Sequence, residues 1–453
     1  MKDVVDAVAE LEGLDLGDER RNARARQIMA ALQVAPAAAF PCAMRSVAGR
    51  EAFYRLVNND AVSLQALVAP HRAQAIARMC EVADRPIIAI DKTQFVFEGE
   101  MEREGLHRIS ANKQGIEAFF ALAVSPSRRT FGVVGVEPLD DRGRSSAVDW
   151  DGFVDVAGCE IEAAGLKPIY VMDREADVYE LFCSLSEKGR DFVIRVSWDR
   201  VARELGGHRD HTMRSLVERA PISLVRTVPL SRRPNGSRPT VAKQKHPARA
   251  SREAKLAIRA CTVVLSRPPK RLGKLPESVT LQLVQVIELD APKGTAPVEW
   301  LLATSLPIDD AAAVEALVDA YRARWSAEEY FKALKTGCKF EERQLESRDA
   351  LMNALGLLIP IAWRLLELRT LADDTPAAPA SVALDDDEIH VLRKISRDVK
   401  LGKAPTIADA LLAIASVGGH IRKNGRPGWQ VLHRGFDELL RIVEGYRLAR
   451  AEM

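Results

Sequence analysis

The segment that most constrains this chain runs from Tyr321 to Cys338 and reads YRARWSAEEYFKALKTGC. It contains no proline, and its only glycine is Gly337, so its composition predicts a helix. Five polar side chains recur in it at intervals of three or four residues. On a helix this spacing confines them to one sector of roughly 80°, which we call the polar stripe. The polar stripe consists of Tyr321, Arg324, Glu328, Lys332 and Lys335.

An apolar stripe that includes Ala327, Phe331 and Leu334 lies beside the polar stripe, so the polar residues are expected at the edge of a buried face. One interpretation of the polar stripe is an ordinary solvated helix surface. The other is a functional site, because one carboxylate among groups that bind anions or stack can hold a metal cation while its neighbours hold phosphates.

The size and charge of the chain point to several domains and a polyanionic partner. With 453 residues, 47% of them hydrophobic, two or three domains with substantial cores are expected. The net charge is only +2, but the basic residues are grouped. From Arg20 to Arg55 there are seven arginines and one acid, and from Arg226 to Lys274 there are fourteen basic residues and one acid. Two such blocks in a nearly neutral protein favour contact with nucleic acid.

Neither the cysteines nor the apolar segments indicate secretion or a membrane. The six cysteines have no CxxC spacing and no dense cluster, which is typical of reduced thiols in the cytoplasm. The start, MKDVVDAVAELEG, lacks the apolar core of a signal peptide. The longest apolar run, Ala354 to Trp363, has about half the length of a membrane span. We therefore expect a cytoplasmic protein with no membrane partner.

Residue patterns divide the chain into three regions. Residues 1–70 are expected to be helical, and the arginine-rich start of their first long helix, with Arg20, Arg21 and Arg24, is a candidate DNA contact. Residues 71–371 alternate short apolar strands with helices, which predicts a mixed α/β sheet. Within them, residues 199–298 carry the second basic block and the alternating stretch SVTLQLVQV, and are expected to form a β-rich insertion. An acidic linker leads into residues 372–453, which are expected to be helical.

Two carboxylates come directly after short apolar strands, Asp91 after PIIAI and Asp173 after IYVM. An aspartate in this position often only caps a turn. It also lies where α/β folds usually place their sites, at the ends of strands. Together with Glu328 the two residues make three carboxylates that could converge on two Mg²⁺ ions about 3.5–4 Å apart.

These motifs together resemble those of a known family. The spacing Tyr321-(2)-Arg324-(3)-Glu328-(6)-Lys335 matches the signature of bacterial insertion-sequence DDE transposases, specifically the insertion-sequence-four family that includes the transposon-five transposase. The segment Asp173–Asp177 matches that family's DREAD block. The resemblance extends to LGDERR near the N-terminus, to TSLP after Trp300 and to VGGH…PGWQVLHRGF near the C-terminus, so it spans almost the whole chain.

The resemblance implies an RNase H-like (retroviral-integrase-like) catalytic core with a β-rich insertion, an N-terminal helical DNA-binding domain and a C-terminal helical dimerisation domain. It assigns the metal-binding catalytic triad to Asp91, Asp173 and Glu328. It assigns contacts with transposon-end DNA to the remaining members of the polar stripe and to two residues of neighbouring strands. These contacts are Tyr321, Arg324, Lys332, Lys335, Arg195 and Trp300, and Trp300 is expected to stack where a base is flipped from the duplex.

The implied activity is cut-and-paste transposition with Mg²⁺ or Mn²⁺, two ions per site. Water cuts one strand at the transposon end, and the freed 3′-hydroxyl attacks the opposite strand to make a hairpin. Water then reopens the hairpin, and the 3′-hydroxyl joins target DNA. The implied assembly is a homodimer on two DNA ends, and the implied location is the bacterial cytoplasm at the nucleoid.

Two other functions stay open at this point. An RNase H-like nuclease that only hydrolyses would need neither the Tyr, Arg and Lys residues of the polar stripe nor Trp300. A catalytically silent DNA-binding protein derived from a transposase would have lost at least one of the three carboxylates, and all three are present.

Overall fold

The structure is a computed structural model that describes residues 6–82, 85–139, 147–230, 249–269 and 275–452. Much of the second basic block, at 231–248 and 270–274, lies outside the described residues. The α-helices, in chain order, are α1 (Glu19–Val34), α2 (Phe40–Ala43), α3 (Val47–Val57), α4 (Leu64–Cys80), α5 (Ala147–Ala163), α6 (Tyr179–Glu187), α7 (Met213–Arg219), α8 (Ala311–Ala323), α9 (Trp325–Lys332), α10 (Arg348–Asp374), α11 (Asp386–Ile395), α12 (Ile407–Val417) and α13 (Trp429–Ala451).

The strands, in chain order, are β1 (Ile87–Glu98), β2 (His107–Ser110), β3 (Lys113–Val124), β4 (Thr130–Pro138), β5 (Ile169–Met172), β6 (Asp191–Arg195), β7 (Val201–Glu204), β8 (His211–Thr212), β9 (Ile222–Leu230), β10 (Arg252–Ser266), β11 (Ser278–Leu289) and β12 (Glu299–Thr304). The mixed α/β class expected from the sequence is therefore observed. The chain forms two compact units, Met1–Ser146 with Gly152–Pro168 and Ala323–Met453, and Ala147–Asp151 with Ile169–Arg322.

In the first unit, antiparallel strands pack against helices from both ends of the chain. β3 pairs with β1, β2 and β4. Helix α4 packs on β4, and α10 packs on both α4 and β4. Residues from the N-terminal helical region and from the C-terminal half thus share one core with the first strands.

Strand β1 is longer than the sequence suggested. Asp91 was expected to end it, but the strand continues to Glu98, and Asp91 pairs with Phe120 in its interior. Beyond Asp91 the buried residues alternate, with Thr93, Phe95 and Phe97 inside. This period of two is typical of a strand with one buried face. The prediction of the strand rested only on the fully apolar run that precedes Asp91.

Helix α10 is the central core helix of the first unit. Among the described residues it is the one helix whose length and apolar composition would allow it to cross a membrane. Its most apolar 18 residues are all buried inside the protein. It contains Pro360, and Asn353 donates hydrogen bonds of 3.0 Å to the carbonyls of Val57 and Val62. A helix that is buried on all sides needs such polar connections where backbone carbonyls of neighbouring segments meet it.

Two glycines let α12 and α13 cross backbone against backbone. A Cβ atom on Gly418 would lie 1.8 Å from the carbonyl oxygen of Val431, and one on Gly435 would lie 1.8 Å from that of Ile414. No side chain fits at either place. These glycines belong to the VGGH and HRGF parts of the C-terminal motif, so that part of the motif has a packing role.

The second unit contains a mixed sheet in the order β5-β6-β12-β11-β10-β7-β8, with β9 also paired to β10. The β5–β6 pair is parallel, whereas β12, β11 and β10 follow as antiparallel neighbours. Residues 199–298, which were expected to be β-rich, contain strands β7 to β11 in their described part. They also contain the short helix α7, which the sequence had not suggested and which Thr212 and Ser215 start with reciprocal capping hydrogen bonds.

A buried charged cluster attaches the N-terminal segment to α4 and β4. Glu10 accepts hydrogen bonds from His71 (2.5 Å) and Arg78 (2.8 Å), and Arg78 stacks over Trp363 at 4.2 Å. His71 is fully buried, and its Nε2 accepts from the backbone N–H of Val133, so its proton lies on the nitrogen that faces Glu10. Burial alone would raise the pKa of Glu10, but the hydrogen bonds from His71 and Arg78 and the positive charge of Arg78 outweigh it and lower the pKa to about 2.

Glu10→Gln is expected to lower the free energy of unfolding by about 3–5 kcal/mol at pH 7, because it leaves the Arg78 charge poorly compensated. A carboxylate whose pKa is lowered on folding stabilises the protein above its unfolded pKa and loses this effect as the pH falls. The difference between wild type and variant should therefore narrow from pH 4.5 towards pH 2, as measured by urea unfolding. The control is Glu81→Gln, an exposed carboxylate, with a change below about 0.5 kcal/mol. An equal loss in both variants would contradict the role of the cluster.

Candidate active site

The signature segment is helical but not one regular helix. Helix α8 ends at Ala323 and α9 begins at Trp325, while Arg324 between them keeps helical backbone angles, with φ −51° and ψ −32°. A π-helical turn follows at Ala333–Gly337, closed by a 2.8 Å hydrogen bond from the Cys338 N–H to the Ala333 carbonyl. No proline or glycine lies at the first irregularity, and Gly337 only ends the second, so composition predicted a single helix. Such π turns occur often at functional sites.

Arg324 bridges two of the three carboxylates assigned to the catalytic triad. One guanidinium nitrogen, Nη1, donates to Asp91 Oδ2 on β1, and the other, Nη2, donates to Glu328 Oε1 at 3.0 Å. The side chains of Arg324 and Asp91 are only 11% and 12% exposed. Two carboxylates held this close repel each other strongly in a partly desolvated place unless a cation lies between them. Arg324 supplies that positive charge.

Two further contacts attach the same segment to β1. Lys335 Nζ donates to the backbone carbonyl of Gln94 at 2.5 Å and lies 5.4 Å from the ring of Phe95. Glu341, just beyond the π turn, accepts from the N–H of Val96 at 3.0 Å and pairs with Lys335 at 3.4 Å. Arg324 and Lys335 of the polar stripe are therefore turned towards β1, and the interpretation as a solvated helix surface is wrong for these two residues.

Lys332 is the most exposed of these groups, with 46% of its side chain accessible. Its Nζ lies 2.5 Å from Glu329 Oε1. The other carboxylate oxygen of Glu329 accepts from the indole N–H of Trp429, at the start of α13, at 2.7 Å. Burial alone would raise the pKa of Glu329, but the partners Lys332, Arg369 and Trp429 lower it. Glu329, the residue next to Glu328, thus connects α9 with the C-terminal helix α13. Sequence reasoning did not detect this contact.

The second unit contains Asp173 and another group of the assigned residues. Asp173 follows β5, as expected, and its carboxylate accepts from the N–H of Glu175 at 2.8 Å, so it caps a short 3-10 turn. Trp300 on β12 packs edge to face against Tyr321, with ring centroids 5.5 Å apart. Arg195 on β6 donates to the Glu299 carbonyl at 3.2 Å, beside Trp300. Arg195, Trp300 and Tyr321 therefore form one cluster, and Tyr321 is buried.

The three arginines singled out at the N-terminus differ in their surroundings. Arg20 and Arg24 on α1 are exposed, whereas Arg21 donates to the backbone carbonyl of Leu16 at 2.8 Å. Arg20 lies 3.7 Å from Asp18, the residue that caps α1. Arg20 and Arg24 can reach a ligand directly, while Arg21 also helps to hold the turn before the helix.

Asp91 and Glu328 fit a divalent cation. Their oxygens already converge on one positive group, and carboxylate oxygens are the donors that hard cations such as Mg²⁺ prefer. The described residues contain no group of three His, Cys, Asp or Glu side chains placed to hold a metal ion. Asp91 and Glu328 meet within the first unit, and Asp173 belongs to the second unit.

Comparison with known proteins identifies two parts of the chain. Residues 156–363 match the family described as transposase DDE domain, and residues 7–62 match the family described as transposase DNA-binding. The chain contains both transposase domains. A DDE domain is the catalytic domain of a metal-dependent enzyme that cleaves and joins DNA. Asp173 and Glu328 lie inside the matched range, and Asp91 lies before it.

A solved structure similar to this chain is the cryo-EM structure of a piggyBac transposase synaptic complex with hairpin DNA. The two are 10% identical, with a TM-score of 0.31, and the similarity covers 67% of this chain. The matched part is 51% of that protein, so this chain spans about half of its length.

The bridge formed by Arg324 leads to a testable expectation about metal binding without DNA. Removing the guanidinium leaves Asp91 and Glu328 without their cation, so Arg324→Gln should raise the affinity for Mn²⁺ about tenfold, measured by electron paramagnetic resonance of the free ion. The matched control is Arg322→Gln, because Arg322 lies on the same helical segment but pairs with Asp319 at 2.8 Å. If both variants bind Mn²⁺ like the wild type, Arg324 does not compete with metal.

Proposed function

We propose that this protein is a cut-and-paste DNA transposase of the insertion-sequence-four family, with an RNase H-like core. The observation that carries the proposal is the bridge of Arg324 between Asp91 and Glu328, inside a segment with the Tyr-Arg-Glu-Lys spacing and at the end of a matched DDE domain. A structural helix surface does not need an arginine that bridges a largely buried carboxylate, Asp91, and a partly exposed one, Glu328.

Asp91, Asp173 and Glu328 would hold two divalent ions, Mg²⁺ or Mn²⁺. Ions bound there would activate the attacking oxygen and stabilise the leaving oxygen of a phosphodiester. In this proposal Arg324 has two states. Without DNA it neutralises Asp91 and Glu328, and with DNA its guanidinium turns to a phosphate, which it can bind with two parallel hydrogen bonds.

The cluster of Arg195, Trp300 and Tyr321 would hold the DNA backbone and a displaced base. Trp300 is partly exposed and packs edge to face with Tyr321, and its ring would stack on the displaced base. Arg195 and Lys335 would contact phosphates. Stacking of a flipped base would relieve the strain of the tight hairpin that forms when the 3′-hydroxyl attacks the opposite strand.

The proposal includes the partners. The exposed Arg20 and Arg24 lie in the matched DNA-binding domain and would contact the transposon end. Helices α11 to α13 would pair two copies on two DNA ends, so that the synaptic complex is a homodimer, and target DNA is the second substrate. We also propose that the protein acts at the nucleoid in the bacterial cytoplasm.

The first test uses the inverted repeat that flanks the gene as a labelled duplex with Mg²⁺. The wild type should give nicked and hairpin products on a denaturing gel. Glu328→Gln and Asp173→Ala should abolish cleavage yet retain binding of the end within about threefold, because the substitutions remove metal ligands and not DNA contacts. Binding without cleavage by the wild type, at all Mg²⁺ and Mn²⁺ concentrations, would instead favour a silent DNA-binding protein.

A second test separates transposition from simple hydrolysis. Arg324→Ala should reduce hairpin formation at least tenfold more than first-strand nicking, because a guanidinium clamp matters most where the backbone bends sharply. The two rates come from a time course with the labelled duplex, and Arg322→Ala is the matched control. An equal loss at both steps would show that Arg324 has no special role in the hairpin step.

A further inference from the structure

An exposed tryptophan stands on a rigid loop next to Asp173. Trp198 is 68% exposed, and it lies in the loop that leaves β6 just after Arg195. Large aromatic side chains are normally buried for the most part, and burial of this ring would stabilise the fold. None of the functions described so far uses Trp198.

The loop is held by a buried carboxylate, Asp177, which is 4% exposed. One oxygen, Oδ2, accepts from the backbone N–H groups of both Ser197 (2.6 Å) and Trp198 (2.9 Å). The other, Oδ1, accepts from Arg200, whose guanidinium also donates to the backbone carbonyl of Asp177 at 2.6 Å. Every polar atom of the carboxylate is thus committed to fixing this loop.

Backbone contacts complete the fixation on both sides of the tryptophan. The N–H of Val196 donates to Leu301 at 2.7 Å, and the N–H of Arg200 donates to the carbonyl of Trp198 at 3.0 Å. The N–H of Met213 donates to Arg200 at 2.9 Å. A loop with this many hydrogen bonds presents Trp198 in a fixed place, so its exposure does not come from a loose chain.

The same carboxylate connects Trp198 to the turn that Asp173 caps. Asp177 ends the 3-10 turn that Asp173 caps, and the hydroxyl of Ser197 donates to the Arg174 carbonyl of that turn at 3.4 Å. The loop also begins directly after Arg195, a proposed phosphate contact, and Arg174 beside it is exposed. Trp198 is therefore placed where DNA would lie if the proposed function holds.

We propose that Trp198 is a second stacking platform, which binds an unpaired base of the DNA next to the cleavage site, and that Asp177 is the residue that positions it. This inference rests on the proposed function. An unpaired base offers a flat apolar face of the right size for an indole ring, whereas a paired base inside a duplex does not. Trp198 acts in addition to Trp300, which packs against Tyr321 elsewhere in the same unit.

The experiment compares binding of two DNAs by the full-length protein in Ca²⁺, which prevents turnover. One is the fully paired transposon end, and the other has two unpaired nucleotides at the cleavage position. Trp198→Ala should weaken binding of the unpaired DNA by about fivefold to hundredfold, the range expected for loss of one stacked base. Binding of the paired DNA should change less than twofold, and Trp198→Tyr should restore most of the loss.

Leu205→Ala is the matched control, because Leu205 is equally exposed, at 66%, and lies in the same unit. It should bind both DNAs like the wild type. A wild-type protein that binds neither DNA would overturn the proposed function together with this inference. A wild type that binds both, with a Trp198→Ala variant of unchanged affinity for each, would overturn the inference alone.

The role of Asp177 is tested by a double-mutant cycle. Asp177→Asn keeps the size of the side chain but loses the charge that pairs with Arg200, so it should weaken binding of the unpaired DNA severalfold. If Asp177 acts through Trp198, that loss should disappear when Trp198 is already alanine. Additive effects of the two substitutions would show that Asp177 does not position Trp198.

Discussion

The candidate site depends on the repulsion between Asp91 and Glu328 and on the cation that offsets it. Asp91 comes from the interior of β1 and Glu328 from α9, and Arg324 joins them. Lys335 and Glu341 attach the following turn to the backbone of the same strand. The signature segment is thus fixed against β1 by charge. Arg324 brings positive charge to both carboxylates at once, which offsets the repulsion between them.

The signature residues are divided between two clusters along one continuous helical stretch. Tyr321 packs against Trp300 in the second unit, and Arg324, three residues later, contacts Asp91 in the first. The helical hydrogen-bond pattern is interrupted at Arg324, between the residues that contact the second unit and those that contact the first. A sequence motif with helical spacing therefore contains residues of two separate sets of contacts. One set is aromatic, between Tyr321 and Trp300, and the other is charged, between Arg324 and its carboxylates. The spacing alone suggested a single surface.

Much of the fold followed from local pattern, and the errors have physical causes. Helices α1 to α3 and the strand β5 before Asp173 agree with the sequence expectations, and the described part of residues 199–298 contains strands β7 to β11. Asp91 was placed at a strand end because the continuous apolar run stops there and buried residues alternate with more exposed ones afterwards. At this point the strand goes from two buried faces to one, but it does not end. The bridge formed by Arg324 was also not foreseen. Its spacing to Glu328 suits an i,i+4 ion pair, but the partner Asp91 is distant in sequence. The assigned roles of the individual residues in DNA binding stay predictions.

Residues of one motif can be there for different physical reasons, and only the structure separates them. In the DREAD block Asp173 caps an accessible turn, whereas Asp177 is buried and commits its oxygens to the neighbouring loop. Burying a carboxylate and an arginine costs desolvation, and exposing an indole ring forgoes hydrophobic stabilisation. In this loop both costs occur together, because the buried Asp177 holds the exposed Trp198 in place. An arrangement that lowers stability at both positions is understandable if the exposed ring has a partner, and this is why we propose an unpaired DNA base for it.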